Sequence, residues 1–275
     1  MASGNSLPTR VLGRTGLAVS AVGLGAMDTP TSTEGAATLR TALDLGINFV
    51  DTAREYAGSE FLIGQVVRER GAAGLHVCSK TFSHSVHGSQ RDVDRSLSVL
   101  GLEQVDLYML HDISTAEAWA EATADGGALE GLKVAQFRGL IRFIGVSSHS
   151  LEIAERAVRS GEFDAVMLEY SAFYPESAAL IDMSSSLDVG VIAMRPVGGS
   201  GRASMMRTRM AEGYRGPLTP PNLLRYVLSN PNVSVAIPGA RFPSRVEENV
   251  AIAASAASMT AAEKAELEAA AKELY

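Results

Sequence analysis

Residues 46–52 read GINFVDT, a short apolar run that begins after a glycine and ends at Asp51 and Thr52. The stretch before it, 34–45, carries apolar residues at helical spacing, so the local order is helix, glycine, buried strand and polar end. In a parallel α/β fold this order places the polar residue at the carboxyl end of the strand, where such proteins hold their chemistry. The same order recurs along the chain.

Apolar runs of this kind occur eight times and alternate with helix-like stretches such as 90–100, 150–160 and 221–229. Eight strand–helix units within about 250 residues predict an α/β fold of the (β/α)8 TIM barrel type. The glycines after helix-like stretches are expected as helix C-caps: Gly46, Gly101, Gly161 and Gly190. The predicted strands are Ala21–Leu24, Ile47–Val50, Leu75–Ser79, Val105–Leu110, Ile141–Val146, Ala165–Leu168, Val191–Met194 and Val233–Ile237.

The alternative fold is an open doubly wound sheet, which normally carries a glycine-rich nucleotide loop after its first strand. The corresponding turn, 23–28, reads GLGAMD and lacks the third glycine, which favours the barrel. Residues 11–19 read VLGRTGLAV and predict an N-terminal β-hairpin around a glycine-containing turn. The Ala-rich residues 251–275 predict closing helices. We find no linker or internal repeat, so we expect a single domain over residues 1–275.

Composition and charge exclude several classes of protein. Acidic residues outnumber basic ones 31 to 24, and no Lys/Arg-rich run occurs, so nucleic-acid binding through a basic surface is not expected. Cys78 is the only cysteine, which excludes an internal disulfide and favours a reducing, cytoplasmic setting. We expect no signal peptide and no membrane span. His84 and His87 have H-x-x-H spacing, but no further ligand lies nearby in sequence, so no metal site is expected.

Three consecutive predicted strands end in ionisable residues, namely Asp51, Lys80 and His111. Tyr56 follows closely enough after Asp51 to reach the same rim. Taken singly, an aspartate after a strand is often a helix N-cap, a strand-end lysine is often solvated, and a histidine is often structural. Adjacent strand ends of a barrel bring all of them to one rim, and such a group is typical of an active site.

The chemistry of these four side chains is specific. A tyrosine hydroxyl has a pKa of about 10 and is a weak acid at neutral pH. We expect the Lys80 ammonium to lower the pKa of Tyr56, and Asp51 to keep the buried ammonium paired. A neutral His111 could donate a hydrogen bond to a substrate oxygen. The group therefore predicts proton transfer to or from an oxygen on which charge develops.

These residues and their surroundings resemble the aldo-keto reductases in the same order over nearly the whole chain. The resemblance implies a (β/α)8 barrel and NAD(P)H-dependent interconversion of a carbonyl and an alcohol. It further implies that Tyr56 is the general acid or base, that Lys80 and Asp51 tune it, and that His111 orients the carbonyl. The matching segments are 11–17, 46–53 with Tyr56, Lys80, Leu110 with His111, 141–149, 237–241, and Glu248 with Asn249.

The resemblance also implies cofactor contacts. Three positions depart from the family pattern: Ser148 stands where the family has Asn, Met167 where many members have Gln, and Met194 where many have an aromatic ring. A thioether can still pack against a ring face, but Met167 cannot donate the hydrogen bond of Gln. The implied cofactor-binding residues are Gly25, Ala26, Met27, Asp51, Ser147, Ser148, Met194, Arg195, Gly239, Arg241, Arg245, Glu248 and Asn249.

The phosphate end of the cofactor site has its own departures. Gly239 and Ala240 replace the Lys and Ser of many members, whereas Arg241 is an additional cation beside Arg245. Because Arg is a good bidentate phosphate ligand, we expect NADPH to be favoured over NADH. The loop 195–201 contains glycines that suit close approach to a pyrophosphate.

The expected partner is a small carbonyl, alcohol or sugar substrate. The sequence pattern predicts no particular oligomeric state. Two alternatives stay open. Lys80 could be the Schiff-base nucleophile of a barrel lyase, or the chain could be a cofactor-binding regulatory barrel without turnover. The Asp51 partner argues against the first alternative, and the complete set of four side chains argues against the second.

Overall fold

The computed structural model describes residues 7–198, 201–204, 213–255 and 258–274. Its strands are β1 (Thr9–Val11), β2 (Ala18–Ser20), β3 (Leu24–Gly25), β4 (Phe49–Asp51), β5 (His76–Thr81), β6 (Val105–Leu110), β7 (Ile141–Ser147), β8 (Ala165–Glu169), β9 (Gly190–Met194) and β10 (Val235–Ile237). Its helices are α1 (Thr33–Asp44), α2 (Ser59–Arg70), α3 (Val86–Leu100), α4 (Ala116–Thr123), α5 (Ala128–Phe137), α6 (Leu151–Ser160), α7 (Ser177–Ser186), α8 (Pro220–Leu228), α9 (Pro243–Ser255) and α10 (Ala261–Lys272).

Strands β3 to β10 form one parallel sheet in chain order, with helices in the connections. The sheet closes on itself: Gly23 N–H donates to Ala236 O at 2.8 Å, and Gly25 N–H donates to Pro238 O at 3.1 Å. The first barrel strand, β3, begins at Leu24 and not at Ala21 as predicted. Ala21 lies before it and accepts a backbone hydrogen bond from Ala236 N–H, at 2.9 Å. The predicted (β/α)8 barrel is confirmed.

The predicted N-terminal hairpin is also confirmed. β1 and β2 pair antiparallel, with Val11 opposite Ala18. Leu12, Leu17 and Val19 are fully buried against the residues that fill the barrel interior, so the hairpin closes the amino-terminal end of the barrel. The chemistry predicted for the strand ends lies at the opposite end.

The barrel has two layers of core. The interior layer contains Phe49, Cys78, Leu107, Met109 and Ile192, all with no exposed surface. A larger layer lies between the strands and the helices, because successive residues of each strand point to opposite faces. The fully buried interior supports the rim rigidly.

The glycines after helices behave as predicted in two places and differently in two others. Gly101 and Gly161 are left-handed C-caps, at φ +70° and +74°, whereas Gly46 follows the C-cap residue of α1. The prediction for Gly190 is wrong, because it begins β9. A Cβ at Gly190 would lie 2.6 Å from Leu12, so this glycine is required by the close approach of the hairpin.

Within the described residues, no helix is long and apolar enough to cross a membrane. Helices α9 and α10 agree with the predicted closing helices where residues 251–275 are described. That residues 1–275 form a single domain stays a prediction.

We predict that Gly190→Ala destabilises the fold by about 1–3 kcal/mol, because the added methyl group overpacks the hairpin contact. Urea unfolding checks this. The control is the same substitution in a Leu12→Ala background, where part of the clash is removed and the additional loss should be smaller. Unchanged stability of the single variant would contradict the packing argument.

Candidate active site

Three neighbouring strands bring the predicted catalytic residues to the carboxyl-terminal rim. Asp51 is the last residue of β4, Lys80 lies in β5 one residue before its end, and His111 directly follows β6. The third barrel strand was predicted to end at Ser79, but β5 continues to Thr81, so Lys80 lies inside the strand and not after it. The His111 N–H donates to Thr81 O at 2.9 Å and holds the two strand ends in register.

Lys80 and Asp51 form an ion pair beneath the rim. Lys80 has no exposed surface, and its Nζ lies 2.6 Å from Asp51 Oδ1 and donates to Thr52 O at 2.8 Å. Burial acts to lower the pKa of Lys80, but the charge and hydrogen bond of Asp51, together with the interactions of Tyr56 and Cys78, outweigh burial and hold that pKa above its ordinary value. Lys80 is therefore a charged ammonium at any physiological pH.

Tyr56 lies above this ammonium and faces the cavity. Its Oη is 3.4 Å from Lys80 Nζ and 3.5 Å from His111 Nε2. Burial raises the pKa of Tyr56, the charge of Asp51 raises it further, and Lys80 lowers it only in part. Lys80 lowers this pKa as expected, but burial and the charge of Asp51 outweigh its effect, so the pKa of Tyr56 lies above its ordinary value. The hydroxyl stays protonated at neutral pH.

His111 has contacts that the sequence analysis did not find. Its Nδ1 lies 3.3 Å from Glu55 Oε2, and the Phe82 ring stacks on its ring at 4.1 Å between centroids. Glu55 is the residue directly before Tyr56, so only its position next to a candidate catalytic residue could have drawn attention to it.

The four side chains lie at one end of a cavity of about 900 Å³ at the rim. Lys80 supports the cavity from below, while the other three line it. The wall continues past Met167 and Leu223 to Arg241 and Asp28. A cavity of this volume, with a tyrosine hydroxyl and a guanidinium in its wall, can hold a large, partly anionic molecule.

The predicted cofactor residues divide into two sets. Those that line the cavity are Gly25, Met27, Asp51, Ser147, Met194, Arg195, Gly239 and Arg241. Those outside its lining are Ala26, Ser148, Arg245, Glu248 and Asn249. The Ser148 hydroxyl donates to Ser150 O at 3.0 Å, which turns it toward the start of α6. In the predicted pyrophosphate loop, Gly198 lines the cavity, and Gly199 and Ser200 lie outside the described residues.

Comparison with known proteins agrees with this geometry. A model of the aldo/keto reductase family matches residues 21–217. The chain belongs to the aldo/keto reductase family. L-galactose dehydrogenase of Arabidopsis thaliana is 31% identical, over 88% of this chain and 86% of the relative.

Solved structures share the fold of this aldo/keto reductase. An aldo-keto reductase from Bacillus halodurans, in its holo form, superposes with a TM-score of 0.79 at 22% identity, over 96% of each chain. An aldo-keto reductase from Klebsiella pneumoniae in complex with NADPH has a TM-score of 0.76 at 23% identity, over 95% of this chain and 94% of that one.

The two candidate phosphate ligands of this aldo/keto reductase are paired with carboxylates. Arg241 Nη2 lies 3.6 Å from Asp28 Oδ1, and Arg245 Nη1 lies 2.5 Å from Glu248 Oε2. All four side chains are more than half exposed, so these pairs are weak and their carboxylates can be exchanged for a phosphate.

Arg195 has a different setting from the other two arginines. Its backbone is left-handed, at φ +53°, and its Nη1 lies 2.5 Å from Glu169 Oε1. His149 Nδ1 contacts the same carboxylate oxygen at 2.6 Å. Burial acts to raise the pKa of Glu169, but the hydrogen bond from His149 and the charge of Arg195 hold it below its ordinary value. Arg195 is thus held in the cavity wall by an ionised carboxylate.

No cluster of three or more His, Cys, Asp or Glu side chains suited to a metal ion occurs among the described residues. His84 lies on the surface, with its Nδ1 2.8 Å from Glu121 Oε2.

We predict that Lys80→Met or Asp51→Leu alone lowers the free energy of unfolding by about 3–5 kcal/mol, because each leaves one buried charge without its partner. The double variant should lose clearly less than the sum of the two, as measured by urea unfolding. The exposed pair Arg159–Glu155 is the control, and Arg159→Ala should cost only about 0.3–0.5 kcal/mol. Additive losses at Lys80 and Asp51 would contradict a coupled pair.

Proposed function

We propose that the protein is an NADPH-dependent oxidoreductase that reduces an aldehyde or ketone to an alcohol, or catalyses the reverse reaction. One observation carries this proposal: the Tyr56 hydroxyl lies within 3.5 Å of both Lys80 Nζ and His111 Nε2 on the wall of a large cavity. Membership of the aldo/keto reductase family supports the same chemistry.

A reduced nicotinamide dinucleotide, when bound, supplies the hydride that the carbonyl carbon receives. The chain supplies the proton. Tyr56 donates its hydroxyl proton to the carbonyl oxygen as negative charge develops there, and the Lys80 ammonium, 3.4 Å away, stabilises the phenolate that remains. Asp51 keeps Lys80 charged and in place. His111, whose Nε2 lies 3.5 Å from Tyr56 Oη, would contact the same substrate oxygen.

The charge state of Tyr56 favours the acid role in the isolated protein. Because burial and Asp51 raise the pKa of Tyr56 above 10, the phenol holds its proton through the neutral range. In the reverse direction the phenolate would be the base, and Lys80 is the group that makes this form accessible.

The residues present fit a nicotinamide dinucleotide phosphate. The cavity volume is sufficient for an extended ligand, the Ser147 hydroxyl and the Met194 thioether line it, and Arg241 stands in its wall. Arg241 and Arg245 would hold a 2′-phosphate in place of their present carboxylate partners. These two guanidinium groups support NADPH over NADH.

The lyase alternative is disfavoured by the setting of Lys80. A Schiff-base lysine must lose its proton and reach the substrate, whereas this side chain is paired with Asp51 and has no exposed surface. We propose a small carbonyl, alcohol or sugar as substrate, and the L-galactose dehydrogenase relative supports the inclusion of sugars. A cytoplasmic location stays a prediction.

We predict that Tyr56→Phe lowers carbonyl reduction by at least about 10²-fold while cofactor binding and the melting temperature remain near those of the wild type, because only the proton donor is removed. Steady-state turnover and a cofactor titration check this. Tyr226→Phe removes a tyrosine hydroxyl outside the cavity lining, where it donates to Glu268 Oε1, and as the control it should leave turnover unchanged. Undiminished turnover in Tyr56→Phe would contradict the assigned role.

For cofactor choice we predict that Arg241→Ala weakens NADPH binding by about tenfold or more and NADH binding much less, because a charge-assisted hydrogen bond contributes about 1.5–3 kcal/mol. Fluorescence titration with each cofactor measures both affinities. Arg159→Ala, far along the chain on α6, should change neither. Equal weakening for NADPH and NADH would remove Arg241 from phosphate recognition.

A further inference from the structure

The imidazole ring of His111 is enclosed by a carboxylate, a phenyl ring and the catalytic hydroxyl. Glu55 Oε2 lies 3.3 Å from its Nδ1, and Tyr56 Oη lies 3.5 Å from its Nε2. Phe82 stacks on the ring with an interplanar angle of 25°. Each ring nitrogen therefore has a defined partner.

Glu55 also fixes the stacking residue. Its Oε1 accepts a hydrogen bond from the Phe82 N–H at 3.4 Å, so one carboxylate holds both the imidazole and the phenyl ring that packs on it. The side chain is about one-third exposed and lines the cavity. Removing it should therefore change the His111 ring more than it changes the barrel core.

The partner at Nδ1 decides which nitrogen carries the proton. Burial acts to raise the pKa of Glu55, but hydrogen bonds, above all that of His111, hold it below its ordinary value, so the carboxylate is ionised. An ionised carboxylate only accepts hydrogen bonds, and a neutral imidazole has a single N–H. If that N–H points to Glu55, Nε2 has a lone pair and no proton.

We propose that Glu55 is a positioning residue for His111, which holds the proton of the neutral ring on Nδ1 and directs the Nε2 lone pair at the Tyr56 hydroxyl. This inference rests on the proposed function for its catalytic meaning but not for its structural content. It differs from the expectation that a neutral His111 donates to the substrate oxygen.

The consequence for the reaction follows from the number of protons on the ring. A neutral ring accepts the hydrogen bond of Tyr56, and only the imidazolium can donate from Nε2 to a substrate oxygen. Glu55 offsets the charge of that imidazolium, as Asp51 offsets the charge of Lys80 on the other side of Tyr56. The ionisable side chains that line the cavity together with His111 include Asp51, Glu55, Tyr56, Asp112 and His149, and Lys80 contacts Tyr56 from beneath.

The first test reads the tautomer directly, without turnover. Proteins labelled with ¹⁵N at histidine are studied by long-range ¹H–¹⁵N correlation, with the His111 signals assigned by their loss in His111→Asn. The neutral ring should carry its proton on Nδ1 in the wild type and in Glu55→Gln, whose amide oxygen still accepts. In Glu55→Ala the population should shift toward Nε2–H.

A second glutamate–histidine pair provides a matched control. Glu121 contacts Nδ1 of His84 at 2.8 Å on the surface. Glu121→Ala should alter the His84 signals and leave the His111 tautomer and turnover unchanged. A wild-type His111 with its neutral proton on Nε2, or a tautomer that does not respond to Glu55→Ala, would overturn the proposal.

The second test uses the pH dependence of carbonyl reduction. If the imidazolium is the donor, kcat of the wild type should fall with rising pH, by up to about tenfold per pH unit, because the ring loses the proton that Nε2 donates. Glu55→Ala should lose this fall, because its neutral ring can present an Nε2–H. The same fall in both proteins would overturn the catalytic part of the proposal. Absence of turnover in every protein would count against the proposed function alone, because the tautomer measurement would still decide the role of Glu55.

Discussion

The ion pair between Lys80 and Asp51 is the interaction on which the rest of the site depends. An ammonium with no exposed surface is strongly destabilising unless a carboxylate stands within contact distance, and here that distance is 2.6 Å. The pair forms because β4 and β5 are parallel neighbours with Asp51 opposite Cys78, which places Lys80 just above that level. A closed barrel is what shields both charges from water.

Tyr56 acquires its chemistry from this pair. The phenol lies over the ammonium, yet its pKa stays above the ordinary value because burial, and then the charge of the carboxylate that keeps Lys80 in place, oppose ionisation of the phenol. In the protein alone the phenol therefore keeps its proton at neutral pH. Next to Tyr56, Glu55 also contacts a partner of the phenol, since it lies beside His111 as Asp51 lies beside Lys80.

The sequence predicted the barrel and the four residues Asp51, Tyr56, Lys80 and His111 because both depend on local patterns. A strand that is buried on both faces is a continuous apolar run, and its polar end marks the rim. Gly190 was wrongly predicted as a helix C-cap because the sequence pattern does not indicate its contact with Leu12, which is distant in sequence. Glu55 was not predicted because its partner His111 is brought close only by the fold. The pKa of Tyr56 depends on burial and on the opposing charges of Asp51 and Lys80, which residue spacing does not indicate.

The most direct measurement is a titration of the purified protein with NADPH, followed by a panel of aldehydes, ketones and sugars while the absorbance of the reduced cofactor is recorded. The account predicts saturable cofactor binding and oxidation of the bound cofactor by at least one carbonyl. Saturable binding without oxidation by any member of the panel would contradict the catalytic account and favour a cofactor-binding barrel without turnover. Failure to bind either NADPH or NADH would contradict the assignment of the cavity as a nicotinamide cofactor site.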